Sequence, residues 1–203
     1  MKLIGMLDSP YVRRVAITLD VLGIPFEHDP LSVFSNSEAF MAVNPLLKAP
    51  SFVTDEGVVL MDSELIIGYV SKRVNRADLW PSDLSELAHA QRLTGLALAA
   101  CEKTVQIIYE YSLRPPEKQY VPWVERITRQ LHAAYRALEA EMNDAPAWLP
   151  GEPPTLADIT IAVAWRFTQE KLPGTLLPDT HKRLAAFSQQ AEASPSFRAY
   201  PYS

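Results

Sequence analysis

Two short stretches carry residue types whose order and spacing could do chemistry. Between Lys48 and Tyr69 a proline, Pro50, opens an apolar strand and a Gly57 turn sends it back as a hairpin. Asp62-Ser63 then starts a helical pattern of Leu65, Ile66, Tyr69 and Val70. Proline at a strand's first position gives up no ladder donor, and a cis bond before it would expose the preceding backbone amide for recognition. Free N–H groups at a helix start favour an anion. Extended backbone beside a helix N-terminus is therefore a place for a small peptide-like anion. Upstream, Asp8-Ser9-Pro10-Tyr11 follows a first apolar strand, and Ser9 can cap a helix whose first position is Pro10.

The elements that must position these residues change character near residue 80. Leu3 to Leu7 reads as a buried strand. Val12, Val15, Ala16, Leu19 and Leu22 then follow helical spacing until Gly23 ends the helix. Ile24 to His28 reads as a second strand, parallel to the first across a right-handed crossover. Residues 31 to 47 read as irregular or weakly helical, followed by the hairpin and a helix from Asp62 to about Val74. The order βαβ, then ββα, is that of a thioredoxin-like domain. Leu79 to Asp83 is a short linker, and everything after it reads as long helices. One runs from about Leu84 to Leu113 and is stopped by Pro115-Pro116. A second has Tyr120, Val124, Ile127, Leu131, Tyr135, Leu138 and Met142 on one stripe. A third opens with Thr155 and Asp158 as a capping box and turns Ala157, Ile161, Ala162 and Trp165 one way. A final helix, roughly Asp179 to Glu192, precedes a proline-broken tail. The expected fold class is α/β plus all-α, with domains at 1–79 and 84–203.

In order and spacing the chain resembles the cytosolic glutathione S-transferase family, in the bacterial type with serine after the first strand. The resemblance rests on Ser9, Pro50 and Asp62-Ser63 and, in the helical half, on the Thr155–Asp158 capping box with Gly151 upstream. It implies that Ser9, with Tyr11 as the alternative, faces the sulfur of bound glutathione. A thiol of pKa about 8.5 is mostly protonated at neutral pH, so stabilising its anion is the catalytic task. It further implies that Ser63 receives the γ-glutamyl carboxylate and Asp62 the ammonium group. Lys48 would pair with the glycyl carboxylate, and Ala49 would contribute backbone beside Pro50. Tyr109, Tyr111, Tyr120 and Trp165 read as core or second-substrate residues, with Tyr109 and Trp165 taken for the pocket of a small hydrophobic electrophile. The family also implies a homodimer. A glutathione-dependent isomerase or dehalogenase stays open, as does a non-catalytic interaction or ligand-binding protein of the same fold.

Other residues are read more plainly. Ser9-Pro10-Tyr11-Val12 lacks the cysteine of thioredoxins and omega-like transferases, and serine cannot carry out thiol–disulfide exchange. The Ser-Ser-Cys run of the maleylacetoacetate isomerase class is missing as well. Arg13 and Arg14 oppose the helix dipole, which points to local salt bridges, and Glu64 reads as a solvated first-turn acid. The lone cysteine, Cys101, reads as a small core residue and fits a reducing cytoplasm. A net charge of −5 without a basic cluster argues against nucleic acid. No apolar run reaches the roughly 20 residues of a membrane span, and the start meets an acid and a proline too soon for a signal peptide. The four histidines lack ligand spacing, so no metal is expected.

Overall fold

The computed structural model describes residues 1–74, 79–142 and 153–203; Gly151 lies outside them. Its first half is a four-stranded mixed sheet: β1 (Lys2–Ile4), β2 (Glu27–Asp29), β3 (Ser51–Val53) and β4 (Val59–Met61), in the order β2-β1-β3-β4. β1 pairs parallel with β2, Leu3 opposite His28, and antiparallel with β3, Leu3 opposite Phe52. The β3–β4 hairpin closes on Gly57, whose φ of 81° suits a residue without a side chain. Three helices accompany the sheet: α1 (Pro10–Val21), α2 (Ser37–Val43) and α3 (Ser63–Arg73). This is the thioredoxin-like order. The region read as irregular or weakly helical contains α2, which buries only Phe40 and so shows little periodicity. β2 begins later than Ile24, because Ile24 packs into the core as part of the approach to the strand.

The second half is helical: α4 (Leu84–Leu113), α5 (Val121–Glu141), α6 (Leu156–Lys171), α7 (Lys182–Glu192) and α8 (Pro195–Ala199). Asp83 caps α4 by accepting from the Ser85 and Glu86 amides. Val124, Ile127, Leu131, Tyr135 and Leu138 of the α5 stripe are buried, whereas Tyr120 stands exposed before the helix and its N–H is taken by Glu110. Helix α6 differs from its one-faced reading. It is buried nearly all round, because it is wedged among α4, α7 and α1. Helix α7 starts after a single 3-10 turn at Pro178–Thr180, later than Asp179.

Helix α1 joins the halves. Val12, Val15, Ala16 and Leu19 lie in the sheet's core and Ile17 in the helical core. With apolar burial on both sides, a charged residue on α1 can survive only if paired. Arg13 and Arg14 are each 1% exposed. Arg13 donates to both carboxylate oxygens of Glu192 at 2.7 Å and to the Tyr200 carbonyl at 2.9 Å, with the Phe197 ring 5.4 Å away. The linker adds a second tie, from the Leu156 N–H to the Leu79 carbonyl at 3.0 Å.

Candidate active site

The loop after β1 must turn tightly to deliver Ser9. Gly5 has φ 138°, and a Cβ there would lie 2.5 Å from Val12 Cγ2 and 3.3 Å from the Ala49 Cβ. Only glycine lets α1 and the Ala49–Pro50 segment approach this closely. His28 Nε2 and the Gly5 carbonyl, 2.8 Å apart, tie the turn to β2. Ser9 then caps α1 from an extended conformation, accepting the Val12 N–H at 3.4 Å. That contact is long, so the hydroxyl retains its proton and acceptor capacity for another partner. Tyr11, two residues on, packs on the helical core beside Cys101 and Glu102. Burial raises its pKa well above the usual 10, so its hydroxyl stays a proton donor.

Ala49–Pro50 is a cis peptide immediately before β3. The loop leading to it is fastened by a buried residue outside the sequence reading, Asn44. Its Nδ2 donates to Ser51 Oγ at 2.8 Å and its Oδ1 accepts the Leu46 N–H at 3.0 Å. Ser51 in turn donates to the Lys48 carbonyl at 2.8 Å. Lys48 itself is exposed. An Asn-Pro pair closing a helix was the available signal, since asparagine side chains fold back on following amides.

At α3 the geometry is tighter still. Asp62 has φ 74° and ψ 124°, a strained backbone for a residue with a side chain, and its Oδ1 accepts the Glu64 N–H at 2.9 Å. Ser63 is buried, and its Oγ accepts a hydrogen bond from Arg14 Nη1 at 2.9 Å. Arg14 Nη2 reaches Glu64 at 2.7 Å, while Nε has no partner among the described residues. Glu64 is thus the counter-ion of a buried guanidinium, not the solvated acid of the sequence reading. The consequence for Ser63 is chemical. Its oxygen is occupied by a donor, so its own hydroxyl proton is free to be given to an anion.

The structure therefore brings the Ser9 loop, Ala49–Pro50 and Asp62–Ser63 together around Gly5 and Arg14. Tyr109, on α4, is 43% exposed and meets the Phe34 ring edge-on at 5.9 Å, so an aromatic pair bridges the halves. Trp165 does not join it. At 4% exposure it packs between Tyr135 and His181 within the helical core, on the enclosed part of α6. Tyr111 and Tyr120 are surface residues. Cys101 is buried, and desolvation lifts its thiol pKa to about 12, which makes it inert. No helix of the described residues is long and apolar enough to cross a membrane. Among those residues no group of three His, Cys, Asp or Glu could hold a metal ion.

Comparison with known proteins is consistent along the chain. Residues 3–77 match the family model for the glutathione S-transferase N-terminal domain, and residues 121–190 match that for the C-terminal domain. A crystal structure of a glutathione S-transferase from Methylobacterium radiotolerans, in complex with glutathione sulfonate, superposes with a TM-score of 0.89. It is 27% identical, over 100% of this chain and 95% of that one. A glutathione transferase family member from Pseudomonas fluorescens, with bound glutathione, gives a TM-score of 0.81 at 27% identity, over 98% and 97% of the two chains. Maleylacetoacetate isomerase of Pseudomonas aeruginosa is 27% identical over 99% of this chain and 96% of its own length.

Proposed function

Because the chain belongs to the glutathione S-transferase family, we propose that it transfers the glutathione thiolate to a small hydrophobic electrophile. The observation that carries the reading is Arg14, which occupies the Ser63 oxygen and leaves the hydroxyl proton for a carboxylate. On this reading Ser63 and the α3 N-terminus receive the γ-glutamyl carboxylate, and exposed Asp62 takes the ammonium group. Ala49 pairs through its backbone, and Lys48 meets the glycyl carboxylate. Ser9 donates to the sulfur, with Tyr11 as the alternative donor. The thiol proton leaves to solvent, the thiolate forms a C–S bond, and the electrophile's leaving group departs. One charge-assisted bond plus a helix end supplies the roughly 1.4 kcal/mol that each unit of thiol pKa lowering requires.

Residues 1–79 form the glutathione unit, and 84–203 carry the electrophile against Tyr109. The protein works as a homodimer in the cytoplasm, as the family and its lone buried cysteine suggest. Calorimetry tests the premise. Glutathione should bind with a dissociation constant between micromolar and millimolar, and 1 mM needs only about 4 kcal/mol. Absence of both heat and competition at about 10 mM glutathione would remove the reading.

The full-length similarity to maleylacetoacetate isomerase supports a second reading, a glutathione-dependent isomerase. There the same thiolate adds and is later expelled, so glutathione returns unchanged. Mass spectrometry of the products separates the two: conjugation consumes free glutathione and isomerisation does not.

A further inference from the structure

One cation from the helical half reaches the Ser9 loop. Lys171, the last residue of α6, donates from Nζ to Asp8 Oδ2 at 2.9 Å. Asp8 is the covalent neighbour of Ser9, with Cα atoms about 3.8 Å apart. The charge of the same carboxylate reaches Tyr109, whose hydroxyl pKa is raised by burial first and by Asp8 second. Tyr109 carries the Phe34 ring against it. The Lys171 ammonium thus sits on the carboxylate next to Ser9, and the charge of that carboxylate is felt at Tyr109.

The ion pair is a poor clamp. Its side chains are 34% and 38% exposed, and such pairs contribute about 0–1 kcal/mol. The halves are already tied through α1 by Arg13 and Glu192. What the arrangement does offer is an exchangeable cation. Lysine is a point charge on a flexible stem with rotatable donors. The Tyr202 ring centre lies 5.9 Å from Nζ and would hold the ammonium while its counter-ion changes. Glu170, the acid next to Lys171 in the chain, is engaged with Arg166 at 2.7 Å. An incoming carboxylate would therefore replace Asp8 alone, and Asp8 would turn to the water it already meets.

We propose that Lys171 is an anion-binding residue of the electrophile pocket, and that its electrophiles carry a carboxylate on a flat unsaturated body seated against Tyr109 and Phe34. This rests on the transferase reading for the chemistry, but the anion subsite can be tested without turnover. S-(4-carboxybenzyl)glutathione and S-benzylglutathione differ only in the carboxylate. By calorimetry the wild type should bind the acid roughly tenfold more tightly, as one hydrogen bond to a charged group provides. Lys171→Met should erase that preference and leave the S-benzyl affinity within about twofold. Lys171→Arg should retain the preference, and Asp8→Asn should widen it. Melting curves of each variant establish that it is folded. Equal wild-type affinities, a preference that survives Lys171→Met, or an equal loss for both ligands would overturn the assignment.

Turnover separates this from the underlying reading. With 4-chloro-3-nitrobenzoate the thiolate forms an aryl C–S bond and chloride leaves. Its methyl ester reacts in the same way without the charge, so each rate is divided by the uncatalysed one. The acid should be favoured, and Lys171→Met should abolish the advantage. If the carboxybenzyl preference depends on Lys171 yet neither arene reacts, the transferase reading falls and the anion site stands. If neither glutathione derivative binds, both fall.

Discussion

At the start of α6, Thr155 gives its hydroxyl proton and its backbone N–H to the Asp158 carboxylate, at 2.7 and 2.9 Å, and takes the Asp158 N–H at 3.2 Å. At the start of α3, Ser63 accepts a hydrogen bond from Arg14 at 2.9 Å, and its own hydroxyl proton has no partner among the described residues. Ser9 at α1 is looser still, with one contact at 3.4 Å. All three residues are hydroxyls at helix N-termini, where orphan amides attract acceptors. The difference is closure. A cap that satisfies itself holds a helix in place, and a cap left with a free proton is available to a ligand. Thr155 belongs to the first kind and Ser9 to the second, as does Ser63, the first residue of α3, which stands behind the Asp62 cap.

Removing what holds an open cap open should have the largest effect. Glu64→Ala leaves Arg14, 1% exposed, without its carboxylate, and breaking such a buried pair costs about 3 kcal/mol or more. Arg14→Met should cost less, because Glu64 is already 42% exposed and returns to water. Denaturant unfolding of the two variants checks the asymmetry, and the opposite order would mean that Glu64 is not the counter-ion. Next is Ser63→Ala. Losing a bond to a charged group should weaken glutathione binding by about 1.5–3 kcal/mol, more than Ser9→Ala does. Titration calorimetry giving the reverse order would exchange the two roles.

On the proposed reading, Ser9→Ala should act on the thiolate instead of on ground-state binding. The pKa of bound glutathione should rise by about one unit, or 1.4 kcal/mol, with turnover near neutral pH falling about tenfold. The defect should vanish at high pH, where the thiol ionises unaided. Thiolate absorbance against pH reads this directly. A larger shift in Tyr11→Phe than in Ser9→Ala would give the tyrosine the task.

Thr155→Ala, at the closed cap, should lower stability by about 1 kcal/mol and leave the glutathione dissociation constant unchanged. A loss of binding there would erase the contrast between caps. The smallest effect concerns the acid of the same box. Burial raises the Asp158 pKa above the ordinary 3.8, against the opposing hydrogen bonds of Thr155. A raised folded pKa means a contribution fully present below the unfolded value and lost as pH climbs through the folded one. Wild-type stability relative to Asp158→Asn should therefore decline as pH rises from below the ordinary carboxylate value through the raised folded one. A flat gap would show the acid to be unperturbed, and a widening one would show its pKa to be lowered instead of raised.

Patterns that repeat within one element were legible in the chain: the βαβ–ββα order, the long α4 ended by Pro115-Pro116, and the capping box of α6. Each follows from neighbours a few positions apart, through periodicity, capping and proline's missing donor. Pro50 and Asp62-Ser63 were visible for the same reason, as local breaks in pattern. What those residues touch was decided by tertiary structure. That Arg13 turns to Glu192 and Arg14 to Ser63 depends on α1 being buried between two cores, which no window of sequence contains. Trp165 reads alike as pocket or core until α6 is enclosed by its neighbours, and Lys171 meets Asp8 across 163 positions. Local chemistry writes the elements and their caps. Which caps stay open is settled by the side chains that distant segments bring to them.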